Sequence, residues 1–223
     1  MGGMRVAYED DIPKNRGPKV PRHGALGSEL GVGNTFGPYC IIGKLYNSII
    51  NQRLLDWCEK RQKFGEEQGG FRAQRATTDQ AFILNELVRA RRRRGLETHI
   101  AFLDLRKAYD TVSRDALWKR LLDFGVVGKM GRVIKNIYRV VESSVILGQD
   151  LTEWFDVGLG VRQGCTLSPL LFLIFVEGLS QELRKNEIGI QEGKLILNHL
   201  LFADDLAICA SSESFRCRLY VQW

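Results

Sequence analysis

The chain has 223 residues, 44% of which are hydrophobic, and carries a formal net charge of +6. This length and apolar content are typical of one globular unit with a substantial core. The sequence shows no signal-peptide pattern and no apolar run long enough to span a bilayer, which argues against a membrane protein. The excess of basic residues favours a polyanionic partner.

The cysteines show no paired C-x-x-C spacing, which argues against a zinc site and against a disulfide framework. They are Cys40, Cys58, Cys165, Cys209 and Cys217. A reduced intracellular protein, nuclear or cytoplasmic, is therefore expected. Met1 and Gly2 do not begin a myristoylation pattern, because position 6 is Val6.

In chain order, residues 1–38 are rich in Gly and Pro and lack periodicity, which predicts a disordered or degenerate segment. Residues 41–61 have the apolar spacing of a helix. Its apolar positions include Leu45, Ile49, Leu54 and Cys58. A capping box from Thr77 to Gln80 predicts the start of a second helix, which ends in a cluster of arginines followed by Gly95.

The rest of the chain alternates short apolar strands with helices. Residues 99–105 suit a buried strand, and Ser113 is a suitable N-cap for a helix that Gly125 would stop. The remaining predicted elements are a helix at 129–141, paired short strands at 144–147 and 153–157, a buried helix from Pro169 to about Lys185, and a hairpin at 195–210.

Two adjacent aspartates, Asp204 and Asp205, interrupt the apolar run of the predicted hairpin. A buried carboxylate costs several kcal/mol unless something compensates it, and two side by side repel each other. A divalent metal ion bound at the tip of the hairpin is one compensation. An ordinary polar turn explains the same letters, since Asp favours turns, so this segment alone leaves both interpretations open.

Asp104 is a second carboxylate within an apolar run, residues 99–105. It could cap a helix or lie in a turn, but it sits inside the run rather than at its end. Asp104 with Asp204 and Asp205 would place three carboxylates on two strands, an oxygen-rich site suited to hard cations. Phosphoryl and nucleotidyl transfer use two Mg²⁺ ions roughly 4 Å apart, held in this way.

Residues 158–169 connect the predicted short strands to the buried helix. Ser168 suits an N-cap and Pro169 the first helical position. Gly160 and Gly164 allow the backbone to approach a ligand closely, and the Gln163 amide offers donors and an acceptor there. A mere strand-to-helix connection is the alternative interpretation.

The arginine cluster consists of Arg89 and residues 91–94. A solvated helix end is one interpretation, because cations there complement the helix macrodipole. A nuclear-localisation or RNA-contacting patch is the other.

Four segments occur in order along the chain. They are Gln68–Arg72 (QGGFR) with Arg75, Thr77 and Asp79, then Phe102–Asp110 (FLDLRKAYD), then Gly160–Cys165 (GVRQGC) with Leu167–Pro169 (LSP), and then Phe202–Asp205 (FADD). They resemble an upstream segment and the three catalytic motifs of reverse transcriptases of the non-LTR (LINE-type) retrotransposon group. Each motif is moderately specific, and their joint occurrence over roughly residues 41–210 favours homology over chance.

The resemblance implies an α+β fold, with a polymerase palm-like antiparallel sheet and helices packed on one face. Residues 39–100 would be partial fingers, residues 101–210 the palm with the catalytic motifs, and residues 211–223 a truncated tail, with no thumb. The activity implied is that of an RNA-directed DNA polymerase that uses two divalent ions, Mg²⁺ or Mn²⁺, with an RNA template, a DNA primer and dNTPs as partners.

Carried over from the family, Asp104 and Asp204 are the metal-bridging carboxylates and Asp205 assists them. Tyr109 matches the aromatic residue that packs under the sugar and favours dNTPs, although core packing is a simpler role for it. Gln163 and Gly164 would line the incoming nucleotide. The predicted nucleic-acid contacts are Arg72, Arg75, Arg91, Arg92, Arg93 and Arg94.

The chain departs from the family pattern in three places. The basic β-hairpin that the family has further upstream is not recognisable in residues 19–32. Asn34–Tyr39 lacks the Arg of the family's Asn-(Tyr/Trp)-Arg segment, and residues 211–223 leave no room for a thumb. A truncated, element-derived reading frame is therefore expected, and a catalytically silent remnant that at most binds nucleic acid is the alternative function. An RNA-dependent RNA polymerase is a weaker option, because Tyr109 disfavours ribonucleotides.

Overall fold

The structure is a computed structural model that describes residues 41–143, 146–147, 150–185, 189–193 and 195–211. The predictions for residues 1–38 and for the tail after residue 211 lie outside these ranges. In chain order the elements are α1 (Ile41–Lys60), α2 (Thr77–Arg93), β1 (His99–Asp104), α3 (Arg114–Phe124), α4 (Gly128–Ile137), β2 (Glu142–Ser143), β3 (Ile146–Leu147), β4 (Asp150–Leu151), β5 (Phe155–Asp156), α5 (Ser168–Lys185), β6 (Ile190–Glu192), β7 (Leu195–Leu197), β8 (His199–Phe202) and β9 (Asp205–Ala210).

A three-stranded antiparallel sheet, in the order β1-β9-β8, carries the acidic motifs. Its register pairs His99 with Ala210 at one end and Asp104 with Asp205 at the other. Strands β8 and β9 form a hairpin whose turn is Ala203 and Asp204. All three motif aspartates therefore lie at the same end of the sheet.

The main hydrophobic core lies between this sheet and the helices. Helix α5 is buried over most of its length, as its apolar sequence predicts. Its buried side chains belong to the same hydrophobic cluster as Leu117 and Leu121 of α3 and Leu206 and Ile208 of β9. Helix α5 thus supports the sheet and the hairpin turn from below.

Helix α3 confirms the predicted caps. The Ser113 hydroxyl accepts a hydrogen bond from the Ala116 amide at 3.4 Å. At the other end, Gly125 has a left-handed backbone with φ +88°, and its amide donates to the carbonyls of the last turn.

Two other cap predictions are wrong by one residue. Helix α2 begins at Thr77, so its N-cap is Ala76, whose amide donates to the Asp79 carboxylate at 2.8 Å. Helix α5 begins at Ser168 rather than after it. The Ser168 hydroxyl is engaged by the Tyr138 hydroxyl at 3.1 Å, so it does not cap the helix.

The short strands pair antiparallel, β2 with β5 and β3 with β4, close to the predicted positions. The hairpin predicted at 195–210 is too long, because β7 pairs with β6 instead of joining the three-stranded sheet. The chain changes partners at Asn198, whose side-chain amide donates to the Leu183 carbonyl at 3.1 Å. That hydrogen bond anchors the junction between β7 and β8 to the C-terminal part of α5.

The expectation that β1 is a buried strand is also wrong. The Phe102 side chain of β1 is 75% exposed and Asp104 is exposed, so β1 is not a fully buried strand. In α1 the core-facing residues are Ile50, Leu54 and Cys58, whereas Leu45 and Ile49 are exposed. Among the described residues, no helix combines the length and apolar character needed to cross a membrane.

Candidate active site

The Asp204 carboxylate lies in the turn between β8 and β9. The preceding turn residue, Ala203, has a left-handed backbone with φ +60°. Such a conformation costs a residue with a side chain about 1–3 kcal/mol and persists where its surroundings hold it. The buried Gln68 side chain provides one such support, because its Oε1 accepts a hydrogen bond from the Ala203 amide at 3.0 Å.

Asp104 and Asp204 line the same open cleft, which has a volume of about 700 Å³. Three other residues predicted from the motifs line it as well: Tyr109, Gln163 and Gly164. We call this space the polar cleft. The cleft brings together Asp204 from the hairpin turn, Asp104 at the end of β1 with Tyr109 shortly after it, and Gln163 and Gly164 from the loop before α5. These three parts of the chain are far apart in the sequence.

Asp205 borders a different space. Together with Asp104 it lines a cavity of about 690 Å³ between α2 and the sheet, whose walls are mostly apolar and include Leu84 and Phe102. We call this space the apolar cavity. Asp104 borders both the polar cleft and the apolar cavity. The end of the sheet therefore lies between the polar cleft, which Asp204 lines, and the apolar cavity, which Asp205 lines.

The carboxylates are not buried, contrary to the argument from the apolar sequence around them. Asp104 and Asp205 are exposed and Asp204 is partly exposed. Among the apolar neighbours, Leu201 and Leu206 are buried, whereas Phe102 is exposed and the end of the sheet opens to solvent. The cost of burying these carboxylates therefore gives no argument for a metal ion here.

The donor set suits a magnesium site that substrate completes. Within the described residues, no group of three Asp, Glu, His or Cys side chains is placed to hold a metal ion by itself. Asp104 and Asp204 nevertheless offer hard oxygen donors on one cleft. Mg²⁺ is commonly bound by one or two carboxylates together with substrate phosphates rather than by an all-protein cage.

Tyr109 is half-buried and stacks on Phe172 of α5, with ring centroids 5.0 Å apart and planes inclined by 12°. Burial, and then the nearby charge of Asp204, raise the pKa of Tyr109 to about 12. The phenol is therefore protonated at neutral pH. The ring is held by the core and also lines the polar cleft, so packing and substrate contact are compatible roles.

The loop before α5 is seated directly on the segment that follows β1. The Gly160 amide donates to the Val112 carbonyl and the Val161 amide to the Tyr109 carbonyl, each at 2.9 Å. Gly160 has φ +80°, and a Cβ there would lie 2.9 Å from the Asp110 carbonyl oxygen. Only glycine fits this contact without displacement of the loop.

Gln163 is oriented across the polar cleft by Asp110. Its side-chain amide donates to the Asp110 carboxylate at 2.8 Å. Gly164 has φ +75° but faces open space, so it shapes the turn without a close contact. Sequence reasoning identified Gln163 and Gly164 but missed Asp110 as a partner.

Sequence reasoning also missed the support of this loop by Tyr138. The guanidinium groups of Arg114 and Arg162 lie over the Tyr138 ring, 5.3 and 5.4 Å from its centroid. Arg114 donates to the Gly160 carbonyl at 3.0 Å, and Arg162 donates to the Ile137 carbonyl at 2.6 Å. No local pattern predicts these contacts, which join segments more than twenty residues apart.

The Arg72 guanidinium, predicted to contact the template, is hydrogen-bonded within the fold. Its guanidinium makes two hydrogen bonds to Glu59 of α1, at 2.9 and 3.0 Å. It also donates to the carbonyls of Gly65 and Gln68, at 2.8 and 3.2 Å. Arg75 pairs with Glu66, which lowers the pKa of that carboxyl group.

The arginine cluster divides into buried and exposed members. Arg91 is buried and donates to the Glu97 carbonyl and the Thr98 hydroxyl, so its guanidinium is engaged inside the fold. Arg94 pairs with Glu192. Arg92 and Arg93 are exposed at the end of α2 and remain available for phosphate contacts.

A buried polar network behind the hairpin was not predicted. The fully buried His199 ring pairs with the Ser180 hydroxyl at 2.7 Å and with Asn198 Oδ1 at 2.6 Å. Ser180 accepts from Arg184 at 3.0 Å, and Arg184 also pairs with buried Glu177. Burial lowers the pKa of His199 to about 4 and raises the pKa of Glu177.

The family of reverse transcriptases, described as RNA-dependent DNA polymerases, matches residues 35–220 of this chain. The match spans most of the chain, so the chain belongs to the reverse transcriptase family. This confirms the resemblance that the four sequence segments indicate.

Proteins of retrotransposable elements are among the relatives of this chain. The polyprotein of the type-2 retrotransposable element R2DM of Drosophila melanogaster is 29% identical over 176 residues, which are 78% of this chain and 16% of that protein. A polyprotein of the type-1 element R2 of Popillia japonica is 31% identical over 127 residues, 56% of this chain and 21% of that protein. The chain therefore spans about a fifth or less of the length of these two relatives.

Solved structures confirm the fold. Telomerase from Candida albicans, in complex with a fragment of telomeric RNA, matches with a TM-score of 0.57 and 14% identity over 76% of this chain and 30% of that one. Apo telomerase from Candida tropicalis matches with a TM-score of 0.52, also at 14% identity, over 77% of this chain and 35% of that one. At this identity the likeness is one of fold, the α+β palm architecture.

Proposed function

We propose that the chain is an RNA-directed DNA polymerase domain whose nucleotidyl transfer takes place in the polar cleft. Asp104 and Asp204 would supply the carboxylate ligands of two divalent ions, Mg²⁺ or Mn²⁺, and Asp205 would assist from the far side of Asp104. The observation that carries the proposal is the convergence of Asp104, Asp204, Tyr109 and Gln163 on one cleft.

The ions, when bound, would lower the pKa of the primer 3′-hydroxyl and neutralise charge on the pyrophosphate leaving group. The chain contributes the positioning. Asp104 and Asp204 fix the reacting end of the cleft, and Arg106 and Lys107 line the same cleft with positive charge suited to a triphosphate. Much of the rate gain in phosphoryl transfer comes from such positioning and charge stabilisation.

Tyr109 and Gln163 would select and orient the nucleotide. The Tyr109 ring is fixed by its stack on Phe172 and cannot turn aside freely. A 2′-hydroxyl against that ring would be crowded, which favours dNTPs over ribonucleotides. The Gln163 amide, held by Asp110, retains an acceptor and a second N–H for the substrate.

An RNA template and a DNA primer are the proposed macromolecular partners. The excess of basic residues supports a polyanionic ligand. Arg92 and Arg93 are exposed and suited to sequence-independent phosphate contacts.

Primer extension tests the proposal directly. The purified chain is given a DNA primer on an RNA template with dNTPs and Mg²⁺ or Mn²⁺. Extension is expected in the unaltered chain and a loss of at least about 100-fold in Asp204→Asn, because even outer-shell partners of a catalytic metal cost 10–100-fold. Asp156→Asn, which changes an exposed aspartate on β5, is the matched control and should extend normally.

A second candidate function is nucleic-acid binding without chemistry. The formal charge of +6 and the exposed side chains of Arg92 and Arg93 support it, because phosphate contacts need no metal site. The same assay separates the two, because a silent binder retains the RNA–DNA duplex but yields no extension in either metal.

A further inference from the structure

The turn that carries Asp204 is held by the segment Gln68–Gly70, which precedes α2. The Gln68 side chain is 1% exposed. Its Oε1 accepts from the Ala203 amide at 3.0 Å and from the Gly70 amide at 2.8 Å, and its Nε2 faces the Ala203 carbonyl at 3.5 Å. One side chain therefore satisfies both backbone groups of the left-handed turn residue.

The backbone of this segment extends the same contact. Gly69 donates to the Leu201 carbonyl at 2.8 Å, and Leu201 donates to the Glu67 carbonyl at 2.9 Å. These bonds form a short parallel bridge between Gln68 and Leu201, at the outer edge of β8. The segment thus adds to the hairpin as one more piece of edge strand.

Gly70 makes the close approach sterically possible. A Cβ on Gly70 would lie 2.2 Å from the Ala203 amide nitrogen, a distance that forces the backbone apart. The two segments are therefore in direct contact at the turn, and any residue larger than glycine would displace Ala203 and, with it, Asp204.

The contact is connected to α1. Arg72 donates to the Gln68 carbonyl at 3.2 Å and makes two hydrogen bonds to Glu59 of α1. The position of Gln68 is therefore fixed by a side chain that is itself anchored, so the support of the turn is rigid rather than a single surface contact.

We propose that Gln68 is a positioning residue that sets the place of the Asp204 carboxylate by holding both backbone groups of Ala203. The inference rests on the proposed function, in which Asp204 binds the divalent ion. Gln68 does not line the polar cleft. It acts through the turn, as partners of metal ligands do when they fix a ligand's orientation.

The test is a titration of the purified full chain with terbium(III), a hard cation whose luminescence increases when it binds protein oxygen ligands. The part of the signal lost in Asp204→Asn defines the site. Gln68→Met keeps the side-chain length but removes the amide, and we expect it to weaken Asp204-dependent terbium binding by about tenfold. Gly70→Ala displaces the same turn by a different route and should weaken binding to a similar extent.

Two control variants separate positioning from general stability. Gln74→Met removes an exposed amide a few residues away and should leave terbium binding unchanged. Ile134→Val reduces packing at a fully buried position of α4 and should lower the unfolding temperature without changing terbium binding. If Gln68 only stabilised the fold, terbium affinity would decrease in step with the unfolding temperature in every variant, including Ile134→Val.

The outcomes are distinct. No Asp204-dependent terbium binding in the unaltered chain would overturn the metal site and this inference with it. Binding in the unaltered chain that persists at full affinity in Gln68→Met and Gly70→Ala would overturn only the inference. If Gln68→Met does not fold, Gly70→Ala decides the question alone.

Discussion

Replacement of Tyr109 tests whether the polar cleft selects deoxynucleotides. In Tyr109→Ala the ring that stacks on Phe172 at 5.0 Å is removed, which opens a ring-sized space beside Asp204. A 2′-hydroxyl then fits where the ring stood. We expect incorporation of ribonucleotides relative to deoxynucleotides to increase, while a stability loss from the missing stack affects both substrates equally.

The size of the expected change follows from how strongly an apolar pocket wall can discriminate between two substrates. Such a wall rejects an analogue that differs by one hydroxyl by about 100-fold at most. The ratio of the kcat/KM values for rNTP and dNTP should therefore increase by about 10–100-fold, or about 1.4–2.7 kcal/mol. The stack itself contributes about 0.5–1.5 kcal/mol to stability, and a ratio measured within one preparation is independent of the folded fraction.

The assay is single-nucleotide primer extension with matched dNTP and rNTP. Tyr109→Phe is the control, because it keeps the ring and removes only the hydroxyl, and its ratio should match that of the unaltered chain. An unchanged ratio in Tyr109→Ala would refute the argument and leave Tyr109 as a core residue only.

Three further predictions concern the surroundings of the site. Since Arg92 and Arg93 are exposed, replacing both with Ala should reduce the slope of log affinity against log salt for an RNA–DNA duplex by about 1–2. An unchanged slope in this double variant would exclude the two arginines from the interface. Arg91→Ala removes a buried guanidinium and should lower the stability of the fold instead. Burial lowers the pKa of His199 from 6.5 to about 4, so the unfolded chain binds more protons between these pH values and stability falls as the pH drops through that window. Urea unfolding should show that this group lowers the free energy of unfolding by about 2 kcal/mol between pH 7 and pH 5. The same pH dependence in His199→Gln would assign the loss to other groups. Gly160→Ala places a Cβ 2.9 Å from the Asp110 carbonyl oxygen and should impair primer extension strongly. Gly164→Ala introduces the same left-handed strain but faces open space, so it should impair extension less. Equal effects of the two variants would show that the contact between Gly160 and Asp110 is unimportant.

Local chemistry explains which parts of the fold the sequence predicts well. Ser113 and Gly125 cap a helix through groups within four residues, and the continuous apolar run of α5 has no stable place except the core. The strand at residue 99 and the hairpin turn at Asp204 follow from equally local patterns. The family motifs add the expectation that distant aspartates meet, which local patterns alone do not give.

The sequence alone does not predict which groups elsewhere in the fold a polar side chain contacts. Ser168 has the chemistry of an N-cap, but the Tyr138 hydroxyl, thirty positions away, engages it. Arg72 and Arg91 have the chemistry of phosphate contacts, but Glu59 and the carbonyl of Glu97 satisfy them inside the fold. The role of Gln68 depends on Ala203, 135 positions later, and no local signal identifies it.

The central claim is that Asp104 and Asp204, rather than Asp205, form the polar side of the metal site. Crystals of the chain grown with Mn²⁺ and a dNTP test it most directly, through the anomalous scattering of manganese. We predict a manganese peak in the polar cleft, within about 2.0–2.3 Å of oxygens from both Asp104 and Asp204 and from the triphosphate. A peak held by Asp205 in the apolar cavity, or no peak beside Asp204 with the nucleotide bound, would contradict the account.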